Sequence, residues 1–223
     1  MDFSQRIRFV CLGICSLLLF SLILCLSTSS SPVIVKPYAY SLGSYKTLGS
    51  ADVTVVGTMA YVADHSSGFL VIDVSTPSSP QLLGSYDAPG DARGVAVVGT
   101  TAYVADSYSR LQVIDVSTPS KPQLLCSYKM PCYGIAVVGT MAYVAGGDRG
   151  LQVIDVSTPS KPQLLGSIDT PGYAMAATVV GTKAYVVGMR LALADPFNGL
   201  QVIDVSTPSP RECRSRGHHG VRG

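Results

Sequence analysis

The fifteen residues LQVIDVSTPSKPQLL occur twice without change, at Leu111–Leu125 and again at Leu151–Leu165. FLVIDVSTPSSPQLL, from Phe69, and LQVIDVSTPSP, from Leu200, repeat most of them. A second phrase, AYVA or AYVV, places Tyr61, Tyr103, Tyr143 and Tyr185 at intervals of 42, 40 and 42 residues. The aspartates of VIDVSTP, Asp73, Asp115, Asp155 and Asp204, follow at intervals of 42, 40 and 49, the last stretched by seven residues around GMRLALADPFN. Four copies of a unit of about 42 residues cannot each close a core, so they must bury one another as propeller blades or another stacked array.

One unit, Gly94 to Lys129, divides into GVAVVG, TTAYVAD, RLQVIDVS, TPSKP and QLLCSYK. Its segments are short, rich in Val, Ile, Leu and Tyr, and bounded by Gly, Pro, Ser and Asp, which predicts four strands and no helix. The Gly-Thr corner inside VAVVGTTAYVA predicts a hairpin. Pro119 and Pro122 each lack an N–H and restrict the residue before them, so the third strand ends and a turn follows. Apolar residues at consecutive as well as alternate positions predict sheets covered on both faces. The first strand, built from Gly, Ala, Val and Ile, suits a crowded inner edge, and the Leu-, Tyr- and Gln-bearing last strand suits a wider rim. Four strands per unit fit a blade better than a single solenoid coil.

These phrases resemble the LVIVD repeat, with LQVIDVSTPSKPQLLGS following AYVA and a Gly-containing loop; the pattern is also similar to the NHL blade, which runs from a GVAV-like through a YVAD-like to a QVFD-like strand. The resemblance covers about Tyr38 to Ser209. It implies a β-propeller in exported and surface-associated proteins, and says little about activity because framework residues define it. The expected fold is all-β, a β-propeller of four-stranded antiparallel blades, about four of them visible and either closing alone or forming part of a larger ring, preceded by an apolar N-terminal helix. The expected division is a signal peptide or membrane anchor over residues 1–30, a linker over 31–37 and propeller repeats over 38–209. The repeats comprise a partial unit at about 38–52, units at 53–94, 95–134 and 135–177, and a partial unit at 178–209.

Tyr40 to Thr58 parallels Gln81 to Thr100, which predicts an outer strand over Tyr38–Lys46 with no inner partners ahead of it. The fourth unit has three strands and lacks the last. The amino-terminal strand is therefore able to complete it and remove a free edge. After Ser209 the expected KPQLLGSIDTPGYA gives way to PRECRSRGHHGVRG. Residues 210–223 are expected to be disordered, and they read as the product of a shifted frame that truncates a longer propeller inside its fourth visible blade, since RGHHGVRG one nucleotide along can encode Asp-Thr-Thr-Gly-Tyr-Ala, close to DTPGYA at Asp169–Ala174.

Arg6 and Arg8 precede an apolar run from Phe9 to Leu26, long for a signal-peptide core and just long enough to span a bilayer. Cleavage near Ser27 to Ser29 is preferred and retention as an anchor stays open; Leu24 weighs against a lipoprotein reading of Cys25. Either way the arginines stay inside and the rest is exported. Ten Lys or Arg face twelve Asp between Val33 and Ser209, so no basic surface for nucleic acid is expected. Outside the head stand Cys126, Cys132 and Cys213. A Cys126–Cys132 bridge is left open, and no spacing matches a metal site.

The corner VVGT and the turn STPS recur in every unit, whereas the second-to-third-strand loops and the fourth-to-first connections differ. Both variable sets are expected on one face, where specificity would reside. Its candidate ligand-contacting residues are His65, Tyr108, Arg110, Asp148, Arg149 and Arg190. Asp73, Asp115, Asp155 and Asp204 are read as turn-fixing acceptors. Asp64 and Asp106 are read likewise, since no clustered acidic pattern accompanies them. The recurring tyrosines are read as packing. The one glutamate, Glu212, and two of three histidines, His218 and His219, lie in the tail, so no catalytic, metal or cofactor site is assigned. The expected role is an exported or cell-surface, non-enzymatic binding scaffold. Its partner would be a protein or glycan at the variable face, with the membrane as a second partner if the head is uncleaved. The rivals are a fragment of a propeller enzyme on an extracellular substrate such as carbohydrate, and an inactive truncated product.

Overall fold

The computed structural model describes residues 41–107, 110–189 and 199–206. Contacts divide the chain after Ser41, and the unit that begins at Leu42 holds every strand. The expected signal or anchor, linker, N-terminal helix, Tyr38 and tail lie outside the described residues.

Among the described residues, fifteen strands form four antiparallel sheets. The first holds β1 (Asp52–Val56), β2 (Met59–Asp64), β3 (Gly68–Asp73) and β4 (Gln81–Tyr86) in that order. The second holds β5 (Ala92–Val98), β6 (Thr101–Asp106), β7 (Arg110–Asp115) and β8 (Gln123–Lys129). The third holds β9 (Gly134–Val138), β10 (Met141–Ala145), β11 (Leu151–Asp155) and β12 (Gln163–Ile168). The fourth holds β13 (Tyr173–Val180), β14 (Lys183–Met189) and β15 (Gly199–Asp204). No helix of the described residues is long and apolar enough to cross a membrane.

The corner predicted between the first two strands is a two-residue hairpin, with Val56 paired to Met59 and Val98 to Thr101. Its glycine, Gly57 in the first copy, has φ +60°, which a side chain would resist. Each third strand ends where its aspartate captures the serine two residues on: Asp73, Asp115 and Asp155 Oδ1 each accept that backbone N–H at 2.8 Å, and Asp204 does so at 2.9 Å. The Asx geometry competes with the ladder and turns the chain.

Each of the first three sheets buries one face on the next. Tyr61, Ala63, Phe69 and Val71 of the first meet Val95, Ala102, Val104, Ile114 and Val116 of the second. Tyr103, Ala105, Leu111 and Val113 meet Ile135, Ala142, Val144, Ile154 and Val156 in the same manner. Tyr143, Ala145, Leu151 and Val153 meet Ala174, Ala184, Val186 and Val205. Wholly buried side chains such as Leu111 and Ile154 contribute about 1.5–3 kcal/mol each, and the repeat supplies such residues at every junction.

First strands of successive sheets lie side by side, and last strands face outward. The inner edge is as crowded as its composition implied: a Cβ on Gly134 would meet the Ala176 Cα at 2.8 Å. This radial stacking of four-stranded sheets is a β-propeller.

Two expectations need correction. Residues 41–46 form no strand and join none of the four sheets among the described residues. The sheets also begin ahead of the unit boundaries read from the sequence, β5 at Ala92 and β13 at Tyr173, because the connection before each first strand is drawn into pairing with the preceding blade's loop.

Candidate functional site

The strand directions bring the second-to-third-strand loops and the fourth-to-first connections to one end of the propeller, and backbone hydrogen bonds join the two sets. His65 N–H donates to Ala92 O at 3.0 Å, and Ala92 N–H donates to His65 O at 3.1 Å. Gly147 and Ala174 exchange the same pair at 3.0 and 2.9 Å. Between them, Cys132 N–H donates to Ser107 O at 2.9 Å. His65, Ser107 and Gly147 occupy one position of the repeat, so three blades are latched to their successors at that residue. The sequences differ while main-chain groups make the bonds, so side chains can vary here without loosening the frame.

His65 sits in this latch with φ +29°, and its Nδ1 is buried without a hydrogen-bond partner among the described residues. Arg110 opens β7, exposed, and its Nη1 donates to Ser127 Oγ at 3.2 Å. Asp148 and Arg149 are exposed in the turn closed by Arg149 N–H on Gly146 O at 3.2 Å. Tyr108 and Arg190 lie outside the described residues.

Asp64 and Asp106, directly before the latch, are both buried. They do more than close their own turns. Asp64 Oδ1 accepts the Gly49 N–H at 2.7 Å and its Oδ2 the Leu48 N–H at 3.3 Å, tying the loop to the segment that enters β1. Burial opposes its ionisation, but bonds from Ser67, Gly49, Leu48 and Ser50 outweigh this and hold its carboxyl below the usual range. Asp106 is driven the other way. Burial raises it and the Asp91 charge adds to the rise, while Gln112 Nε2 at 3.2 Å on Oδ2, the Gly90 backbone and the Arg110 charge offset only part. Its Oδ1 lies against the Gly90 backbone without a well-formed hydrogen bond.

The first strands line a half-open axial cavity of about 420 Å3, with Asp52, Thr54, Arg93, Tyr133, Met175 and Thr178 among its lining residues. Asp52 Oδ1 accepts its neighbour Val53's N–H at 2.8 Å, and Oδ2 accepts the N–H of Val95 at 2.9 Å. Thr54 Oγ1 donates to Val95 O at 2.9 Å, so this pair laces β1 to β5. Arg93 Nε is buried without a partner among the described residues, and its Nη2 stands 3.7 Å from Asp91 Oδ2. At the rim Tyr173 donates its hydroxyl proton to the Tyr133 hydroxyl, with ring centroids 5.0 Å apart, edge to face. Gly147 packs against both rings, where a Cβ would come within 2.6 Å of Tyr173.

Sequence reasoning missed this lining. The signal was present in the copies: Asp52 stands where the others carry Gly94, Gly134 and Ala176, and Arg93 aligns with Tyr133 and Met175. No group of three or more His, Cys, Asp or Glu able to hold a metal ion occurs among the described residues.

The LVIVD repeat family model matches four times, over residues 49–88, 89–130, 133–170 and 171–212. The chain belongs to the LVIVD repeat family. Each match frames one sheet. No curated protein matches the LVIVD chain. Among solved structures it is similar to the computationally designed Ika4 protein, with a TM-score of 0.56 at 14% identity over 74% of this chain and 96% of that one. It is similar to the designed Ika8 protein, at 0.55 and 14% over 72% and 47%. A third likeness is to BamB from Moraxella catarrhalis, at 0.50 and 15% over 67% and 42%. The chain thus spans less than half of Ika8 and of BamB. At such identity the likeness bears on fold alone.

Proposed function

We propose that this LVIVD-repeat propeller is an exported, non-enzymatic binding scaffold that presents its loop end to a protein or glycan. The observation that carries the reading is the latch: divergent side chains stand on a loop end held by recurring main-chain bonds. This arrangement suits recognition better than turnover. Arg110, Asp148 and Arg149 offer both charges there, exposed. The single carboxylate lining the axial cavity among the described residues, Asp52, has both oxygens engaged by backbone amides, which leaves it a poor general base. The apolar head behind two arginines supports export.

The test incubates the purified protein with an array of defined polysaccharides and extracellular matrix proteins, measuring retention and release of reducing ends. Saturable retention that is lost in an Arg110→Ala/Asp148→Ala/Arg149→Ala variant supports the reading. Release of reducing ends, or retention indifferent to those substitutions, overturns it. Fractionation of producing cells reports export, and a wholly cytoplasmic product contradicts that part.

A further inference from the structure

Each blade brings one residue at the start of its inner strand to the axial cavity, and in two blades a bulge sets the aim. The register of β5 on β6 shifts at Arg93, between Ala92 and Gly94, and that of β13 on β14 shifts at Met175, between Ala174 and Ala176. A bulge turns its extra residue out of the alternation of the ladder. Tyr133 stands at the same place ahead of β9 and Ala51 ahead of β1, their N–H groups donating to Ala145 O at 2.9 Å and Ala63 O at 2.8 Å. All four residues line the cavity. Arg93, Tyr133 and Met175 directly follow Ala92, Cys132 and Ala174, whose main chains make the latch bonds, so the latch fixes these three as well.

Arg93 is the one cation lining the cavity among the described residues, and its guanidinium makes no hydrogen bond with them. Nε is buried without a partner, and Nη2 stands 3.7 Å from Asp91 Oδ2, beyond bonding distance. The side chain is 30% exposed, so its charge is presented through the Nη end. Asp52, the one anion of the lining, has both oxygens on main-chain amides. The unmet polar demand is therefore that of a donor, a planar fork that matches a carboxylate. A dianion such as phosphate would also meet the charges of Asp52 and Asp91, so a monoanion fits better.

The rest of the wall offers main-chain groups. In β5 the N–H and O of Val95 are taken by Asp52 and Thr54. The equivalent groups belong to Ile135 of β9 and Ala177 of β13, which both line the cavity. The strands beside them carry Gly94 and Ala96, then Gly134 and Ala136, where β1 carries Asp52 and Thr54, so no side chain can lace them. No backbone group outside their own sheets bonds them among the described residues. A donor and an acceptor thus stand open on each of two strands, in a volume of the size that holds one small molecule. Such pairs suit hydroxyl groups, which both donate and accept.

We propose that the axial cavity is a subsite for one uronic acid of a glycan, with its carboxylate on the Arg93 guanidinium and its hydroxyls on the main-chain groups of Ile135 and Ala177. Tyr133 and Met175 border the apolar edge of the sugar ring. The glycan rests on the loop-end reading above, whereas the acid rests on the cavity itself.

Saturation-transfer NMR of the full chain, titrated with D-glucuronate and with D-galacturonate, tests the subsite. Saturable binding of at least one is expected. It should weaken about tenfold or more for the methyl ester of that acid and in Arg93→Gln, where the charge-assisted pair is lost. Arg93→Lys keeps the charge without the fork and is expected to fall between. Lys161→Gln, exposed in the turn of the third blade, removes a charge elsewhere and is expected to bind as the unsubstituted protein does. The ester comparison needs no substitution and stands even where a variant does not fold. Binding of neither acid, equal binding of acid and ester, or binding indifferent to Arg93 overturns the proposal. Acetate or inorganic phosphate bound as tightly as the sugar acid shows an unselective anion site and overturns it as well. On the polysaccharide array, retention by neutral glycans alone overturns the subsite and leaves the loop-end reading standing. Uronate binding that depends on Arg93, without retention on the array, supports the subsite and removes the loop-end reading.

Discussion

Asp64 and Asp106 hold the same position in consecutive blades and lie against the same glycine of the adjoining connection, Gly49 and Gly90, yet their carboxyls are displaced in opposite directions. Burial pushes both upward, more strongly at Asp106, and at Asp64 hydrogen bonding outweighs it. Asp64 is met by two main-chain amides, whereas one oxygen of Asp106 is buried without a partner among the described residues. A carboxylate below its ordinary value stabilises the fold above that value and loses the effect as pH falls; one above it costs stability as pH rises through its own range. Asp106→Asn keeps an acceptor for Gln112 and removes the charge, so stability at pH 7 is expected to rise by roughly 1 kcal/mol. Asp64→Asn is expected to cost about 1–2 kcal/mol. Both differences shrink on acidification below the ordinary carboxylate range. Urea titrations at pH 7 and pH 3.5 check this, and a destabilised Asp106→Asn at pH 7 refutes it.

His65 occupies the latch position at φ +29°, where the third blade uses Gly147 at φ +66°. A side chain in this region costs on the order of 1 kcal/mol when the surroundings impose the conformation, as the two bonds with Ala92 do. His65→Gly is expected to recover about that amount, less the added freedom of the unfolded chain. Thermal unfolding at matched pH measures it, and a clear loss of stability would mean that the imidazole supports the loop.

Much of this fold was legible because it is written locally and four times over. The Gly-Thr corner, the Asp-Val-Ser turn and the small inner strand each follow from residues within a few positions of one another. The latch was illegible for the opposite reason. It joins backbone groups of loops that share no side-chain pattern, and only the meeting of two blades reveals that His65, Ser107 and Gly147 each bond to the next connection. Asp52 and Arg93 were hidden by being exceptions inside a strand read for its consensus.

Inner-strand packing gives a graded expectation. A Cβ at position 134 would meet main-chain atoms, the Ala176 Cα and the Met175 O, both at 2.8 Å, and main chain between packed sheets cannot withdraw cheaply. At position 94 the closest approaches are 3.2 and 3.3 Å, to Gly134 Cα and to Ala105 Cβ and Tyr133 O. Gly134→Ala is therefore expected to cost about 1–3 kcal/mol and Gly94→Ala distinctly less. Urea midpoints of the two variants decide the order, and equal or reversed losses would mean that the first strands do not approach as closely as described.

Cys126 and Cys132 are free thiols, which closes the question of a bridge between them. Cys132 lies wholly buried in the connection that enters β9, with Met130 beside it in the core between the second and third sheets. Burial, reinforced by the Asp106 charge, pushes its thiol far above the usual range, and the thiolate is the reactive form. Cys126, in β8, is half-buried. Iodoacetamide at pH 8 under native conditions is expected to alkylate Cys126 while sparing Cys132, and to reach both in urea. Peptide mass mapping reads each site separately. Native labelling of Cys132 at the rate of Cys126 would show that the latch at Ser107 opens readily and would remove the rigidity on which recognition by this loop end depends.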